Sequence, residues 1–300
     1  MTSEDLINKV EKIQMWVNEG IRAPHKPLLI LLALRYLMVE KKKLIKYTEI
    51  ENELGELLIK YGRSSSSINP HQPFWRLRND GERDIWKIFG EEKVRQTSKG
   101  DAFISDLREE TIGAGFSNEV ITLIENDHQI YKYLVQILLD ENFPSSLHNE
   151  ILDDIGLDIR FSNKKLSRKR DPEFREKILH IYDFKCAICG YDLRFFNKSL
   201  ALDAAHIKWH KAGGPDIEEN GVALCTLHHK LFDFGAIAID KDLKLIISDK
   251  LQGSYHNLNP LLSMHQELIS TPKIQSHYPK QEFINWHHQE VFKKKNKKTK

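Results

Sequence analysis

Apolar residues recur along the first 160 positions at helical rather than strand spacing. Leu6, Ile7, Val10, Ile13 and Val17 predict an amphipathic helix over residues 4–19. A turn at Gly20 to Pro24 separates it from Pro27 to Val39, a stretch apolar on most faces. A helix of that kind is the buried centre of a domain, and Pro27 suits its first turn. Residues 43–61 read as a third helix. Residues 62–81 read as a loop, with four serines and then Pro70, His71, Pro73, Phe74 and Trp75. A strand-like piece from Ile85 to Phe89 and helices over 117–125 and 129–141 complete a mostly helical unit.

After residue 155 the pattern changes. Gly156 to Pro172 holds Lys164, Lys165, Arg168, Lys169 and Arg170 and reads as a basic linker. A helix follows from Asp171 to Tyr182, with Asp171 as N-cap and Pro172 as its first residue. Leu200 to Ile207 alternates as a strand, His206 lies near its end, and His228-His229 opens a further helix. The expected architecture is α+β: a helical unit at 1–155, a linker at 156–172, a mixed unit at 173–292 and a basic tail at 293–300.

Composition adds limits. The chain is 40% apolar and 29% charged, as in soluble globular proteins. The run from Pro27 to Leu34 is too short to span a bilayer, and the acidic start Met1 to Asp5 is unlike a signal peptide. Three cysteines are too few for a disulfide scaffold, so a reducing cytoplasm is expected, with no membrane partner. The net charge of +2 hides an asymmetry. Residues 1–160 carry 21 basic and 27 acidic side chains, whereas residues 161–300 carry 24 and 16. A basic second half points to nucleic acid.

All three cysteines cluster in that half. Cys186-x2-Cys189 and Cys225-x2-His228 are two tight-turn ligand pairs, together a Cys3His set suited to structural zinc. Three unrelated buried thiols would not need this spacing. His206, Asn220, His229 and Asp233 form a second set. His229 and Asp233 are i and i+4 on one helical face and can hold a hard divalent cation such as Mg2+ or Mn2+. Phosphodiester hydrolysis needs a base for water and a metal for the charge on phosphate, and His206 is the candidate base. Taken singly, His229 could be a further histidine of the zinc region and Asp233 a cap or surface acid.

Residues from about 174 to 240 resemble the HNH nucleases. The matching pieces are F174-R175, C186-A-I-C189-G190, A204-A205-H206-I207, E219-N220-G221, A223-L224-C225-T-L-H228-H229 and F232-D233-x-G235. W286-H287 with V291-F292 resembles the closing segment of restriction-type members. The resemblance implies a ββα-metal fold, His206 as general base, Asn220 as the residue that orients it or braces the loop, and His229 as metal ligand. Many members carry an acid where this chain has Ala205, and Asp233 is expected to replace it. Asp203 ranks lower, since alternation points it away from the His206 face. Such a unit cuts one strand, so a double-strand break needs a homodimer or two nicks.

In the first half, R22-A-P-H25-K26-P27-L-L, P73-F74-W75-R76-L77 and N79-D80-G81 resemble the sulfur-binding domain of restriction nucleases that attack phosphorothioate DNA. A backbone sulfur is softer and less well hydrated than oxygen and favours an apolar dent with a cationic rim. Pro24, His25 and Lys26 at a helix N-terminus suit the anion. Pro73, Phe74 and Trp75 could form the wall, while Arg22, Arg76 or Arg78 could reach phosphate or a guanine edge. Pro-Phe-Trp is more often a core plug, and His25-Lys26-Pro27 reads equally as a capped helix start. The resulting expectation is a type IV-like DNA restriction endonuclease acting on modified double-stranded DNA. Two alternatives stand beside it: an HNH nuclease reading methylated or unmodified DNA, and a non-catalytic zinc-containing DNA-binding protein.

Overall fold

The computed structural model describes residues 1–13, 24–62, 68–159, 172–196 and 198–294, with the backbone of 17–18 and 21–22. The chain divides into two units, Met1–Lys164 and Lys165–Lys300. Most of the basic linker, the proposed cap Asp171, the side chain of Arg22 and residues 295–300 of the tail lie outside the described residues. Among the described residues, no helix is long and apolar enough to cross a membrane.

The first unit is built around the helix His25–Met38, in which every residue from Pro27 to Leu34 is buried. The helices Tyr47–Tyr61 and His128–Asn142 pack against it, and Ser3–Glu11 and Asn118–Asn126 pack in turn against His128–Asn142. Local polar residues set their starts. Thr2 and Asp5 form a reciprocal capping box, Ser117 accepts from the Val120 amide, and Asp127 accepts from the Gln129 amide. An antiparallel three-stranded sheet places Gly113–Phe116 between Ile45–Lys46 and Trp86–Phe89.

Three expectations change here. The first helix stops at Glu11, and Val17–Asn18 pairs instead with Ile21–Arg22 as a short hairpin. The β-branched residues that continued the apolar spacing suit extended backbone as well as helix. The third helix starts at Tyr47 because Ile45–Lys46 joins the sheet and the Lys46 amide donates to Glu49 Oε2 at 2.9 Å. The expected loop at 62–81 contains a helix, His71–Arg76, which buries Pro73, Phe74 and Trp75. Pro73 sits in its first turn, where a missing N–H breaks no helical bond.

The second unit opens with the helix Pro172–Ile181. An antiparallel hairpin follows, pairing Leu202–His206 with Gly221–Cys225 and setting His206 opposite Gly221. The helix Thr226–Asp233 continues directly from it, completing a ββα unit. A second hairpin, Ile237–Ile239 with Leu245–Ile247, and the helix Gln281–Glu290 finish the core. Phe174, Ile178, Leu202, Val222, Leu224 and Phe232 fill its centre. The late motif residues pack against it: His287 stacks on Phe232 at 3.8 Å, its Nε2 donates to the Phe232 carbonyl, and burial pushes its pKa down to about 3.

Candidate active site and metal centre

Two tight turns bring the cysteines together. The Gly190 amide donates to the Cys186 carbonyl at 2.9 Å, and the Ala187 amide donates across to Ala223 at 2.8 Å. The knuckle is thereby tied to the strand that ends in Cys225. His228 follows in the first turn of the next helix. Its Nδ1 lies 3.5 Å from Cys186 Sγ and 3.3 Å from Cys225 Sγ. The ligand atoms of Cys186, Cys189, Cys225 and His228 all lie within 4.8 Å of one another. Tetrahedral zinc with Zn–S bonds near 2.3 Å holds its sulfurs roughly 3.8 Å apart, so three thiols and an imidazole in this arrangement fit such an ion. The hydrogen bond from Cys225 outweighs burial and favours the thiolate at Cys186.

The looped end of the hairpin carries His206. Phe174 stacks on its imidazole with centroids 4.1 Å apart and planes 13° from parallel. Its Nε2 lies 2.7 Å from Asp216 Oδ1, and His210 Nε2 lies 3.9 Å from the other oxygen of Asp216. Asn220 is fully buried and turned away from the ring, into the connecting loop. Its Oδ1 accepts from the Lys208 amide at 2.8 Å, while Nδ2 donates to the carbonyls of Lys208 at 3.0 Å and Pro215 at 2.9 Å. Both amide protons are spent on the loop, so Asn220 acts as its brace.

Three charged side chains meet one turn into the helix Thr226–Asp233. His229 Nε2 lies 3.3 Å from Asp233 Oδ2, and its Nδ1 lies 3.9 Å from Asp203 Oδ2. Burial opposes protonation of His229, but the carboxylates of Asp233 and Asp203 outweigh it and raise the pKa to about 9. His229 Nε2 and Asp233 are a donor pair suited to a hard divalent cation, whereas Asp203 lies at the opposite ring nitrogen. Asp203, which ranked lower, lies on the Nδ1 side of the ring. Alternation does separate it from His206, but the His229 helix packs on the Asp203 side. Ala205 is wholly buried opposite Val222, so a carboxylate there would enter the apolar core. Asp216 escaped sequence reasoning. Its only signal was a Gly-Gly-Pro-Asp turn in the loop between His206 and Asn220.

In the first unit the motif residues part company. Phe74 and Trp75 have no exposed surface, and Pro73 is buried beside them. Phe74 packs edge-on against Tyr47 and Trp86, and Trp75 Nε1 donates to the Gly100 carbonyl at 2.9 Å. The expected apolar wall of Pro73, Phe74 and Trp75 is thus corrected: these groups are core. Arg76 makes a bidentate pair with Asp101 at 2.6 and 2.8 Å. Arg78 lies over the Trp75 ring at 3.6 Å and pairs with Glu91 at 2.8 Å. Pro24 is buried and His25 and Lys26 are half-buried at the start of the central helix, which has no side-chain cap. Lys26 Nζ reaches the buried carboxylate of Asp80 at 2.5 Å, joining two motif pieces 54 positions apart.

The family model of ScoMcrA-like DNA sulfur-binding domains matches residues 3–160. The chain belongs to that family. A model of HNH endonucleases matches residues 186–240, so this sulfur-binding-domain protein also carries an HNH endonuclease domain, and that span includes both ligand clusters and Asp216. Solved structures similar to this family member include the sulfur-binding domain of ScoMcrA complexed with phosphorothioated DNA, at 21% identity and TM-score 0.43, covering 50% of this chain and 94% of that one. The corresponding domain of SprMcrA, also complexed with phosphorothioated DNA, shows 18% identity and TM-score 0.43, covering 52% of this chain and 95% of that one. The modification-dependent restriction endonuclease TagI shows 24% identity and TM-score 0.31, covering 39% of this chain and 37% of that one. The chain covers 27% of the restriction endonuclease ScoMcrA. No curated protein matches it.

Proposed function

We propose that this chain is a type IV-like, modification-dependent DNA restriction endonuclease. Its first unit recognises phosphorothioate DNA, and its HNH domain hydrolyses a phosphodiester nearby. The observation that carries this reading is the presence, in one chain, of a sulfur-binding-family domain over 3–160 and an HNH match over 186–240. Recognition is assigned to the start of the central helix, which holds Pro24, His25 and Lys26 and has no side-chain cap. Arg22 belongs to the same stretch. A methylated base flipped out of the duplex would need an aromatic pocket. Phe74, Trp75 and Trp86 are all fully buried, which speaks against that alternative.

In the cleavage step His206 takes a proton from water, the resulting hydroxide oxygen bonds to phosphorus, and the bond to the leaving sugar oxygen breaks. That oxygen is then protonated by solvent. A divalent ion held by His229 and Asp233, with Asp203 beside them, would offset charge on the phosphate and the leaving oxygen. Asn220 keeps the loop beside the base in shape. Cys186, Cys189, Cys225 and His228 would hold structural zinc, which would fix the knuckle to the hairpin.

Digestion of matched phosphorothioate and unmodified duplexes with a divalent metal tests the reading. Cutting confined to the modified duplex is expected. Equal cutting of both removes the sulfur specificity and leaves the nuclease. If neither duplex is cut and His206→Ala changes nothing measurable, the protein is a non-catalytic DNA binder. One HNH unit cuts one strand, so a supercoiled plasmid carrying the modification should pass through a nicked form. Linear product without that form would show two units acting together as a dimer.

A further inference from the structure

The geometry points to Asp216 as a positioning residue that fixes His206 as its Nε2–H tautomer, leaving Nδ1 as the nitrogen that takes the proton from water. The inference rests on the assignment of His206 as the base. A carboxylate oxygen 2.7 Å from Nε2 can only accept, so the neutral ring carries its proton on that nitrogen. Phe174 fixes the plane of the ring by stacking on it. The stacking and the carboxylate together set the direction in which Nδ1 points. When the ring takes its second proton, the same carboxylate lies against the new positive charge, as the acid does in a serine hydrolase triad.

The loop is built to deliver Asp216 to this place. After the short turn His210–Ala212, Gly213 adopts a left-handed conformation with φ of 79°. Gly214 then passes so close to Lys208 that a Cβ would lie 1.9 Å from its carbonyl oxygen and 2.8 Å from Asn220 Nδ2. Nδ2 of Asn220 holds the carbonyl of Pro215, the residue directly before Asp216. The buried asparagine therefore acts on the base at one remove, through the loop that aims the carboxylate. This accounts for an asparagine whose side chain is spent entirely on backbone groups.

The test uses the full chain with wild-type, Asp216→Ala, Asp216→Asn and His206→Ala proteins. Cleavage kinetics on the phosphorothioate duplex should show kcat lowered about 100-fold in Asp216→Ala, with KM for DNA unchanged. Asp216→Asn should fall less, because its amide oxygen still accepts from Nε2 but carries no charge. Nitrogen-15 spectra of the histidine rings give a second readout that a merely structural role would not move. The signal absent from His206→Ala should show the proton on Nε2 in the wild type and lose that preference in Asp216→Ala. A kcat within about twofold of wild type in Asp216→Ala, or a wild-type proton on Nδ1, overturns the inference. If Asp216→Ala does not fold, Asp216→Asn decides, and an unchanged kcat there overturns it. A wild-type protein that cuts no duplex removes the base assignment, while the spectra still confirm or overturn the pairing.

Discussion

In the HNH unit, polar residues far apart in sequence end with their functional atoms together: Cys186 and His228, 42 positions apart, lie 3.5 Å from each other. In the sulfur-binding unit, the contiguous Pro73-Phe74-Trp75 turns inward and becomes core. The difference lies in what fixes each motif. Ligand pairs are spaced by the geometry of a turn around an ion, so they stay side by side when folded. A proline followed by two aromatics carries most of its free energy in buried area, so packing claims it first. In the second region the polar residues Lys26 and Asp80 are what converge, and they do so through the fold rather than through spacing.

The largest expected effect tests the metal half of this comparison. Cys225→Ser removes one of four ligands, and structural zinc supplies roughly 10 kcal/mol or more to small sites of this kind. The HNH unit should lose its cooperative melting transition and its bound zinc together, while the first unit keeps its own. A folded, zinc-free Cys225→Ser protein would overturn the metal centre. Next comes His206→Ala. Removing a general base lowers the rate about 10²–10⁴-fold, and DNA binding should persist because recognition is assigned to the other unit. Loss of binding equal to the loss of cutting would show that the two units do not divide the work in this way.

The unequal legibility of the two halves has a physical basis. The ββα order, the Cys3His cluster and the i, i+4 pair His229 and Asp233 could be read directly, because turn spacing, hairpin alternation and helix periodicity are local. Asp216 could not, since a loop carboxylate has no period, and its placement depends on Gly213, Gly214 and the Asn220 brace. The approach of Asp203 to His229 could not be read either, because alternation gives the face of a strand but not which helix packs on it. In the first unit the central helix was legible from its continuous apolar run. The helix His71–Arg76 was not: serines and prolines nearby signal a loop, and only tertiary burial of Phe74 and Trp75 makes it fold.

Phe74→Ala carries the comparison into the first unit at intermediate size. A fully buried phenylalanine truncated to alanine loses about 3–5 kcal/mol through lost burial and the cavity left behind. Phe74 also packs against Tyr47 and Trp86, whose Nε1 donates to the Phe74 carbonyl at 3.0 Å. Thermal or denaturant melting of the unit should show the loss, while the folded fraction binds phosphorothioate DNA with unchanged affinity. Weaker binding by a variant of wild-type stability would return the aromatics to the recognition surface.

Arg76→Ala has the smallest expected effect and separates structure from recognition most finely. Its guanidinium is 41% exposed and bidentate to Asp101, whose carboxyl is held below its usual range chiefly by that hydrogen bond. Exposed ion pairs contribute at most about 1 kcal/mol, and the better geometry here places the pair near the upper end of that range. If the arginine is structural, Arg76→Ala and Asp101→Ala should each lower stability by that order, the double variant should add little, and binding should be unaffected. If it leaves Asp101 to meet phosphate, Asp101→Ala should instead strengthen DNA binding by freeing the guanidinium, and Arg76→Ala should reduce the salt dependence of binding by about one phosphate contact. The double-mutant cycle in stability, set beside the salt slope in binding, assigns Arg76 to the packed half of the comparison or to the half that meets DNA.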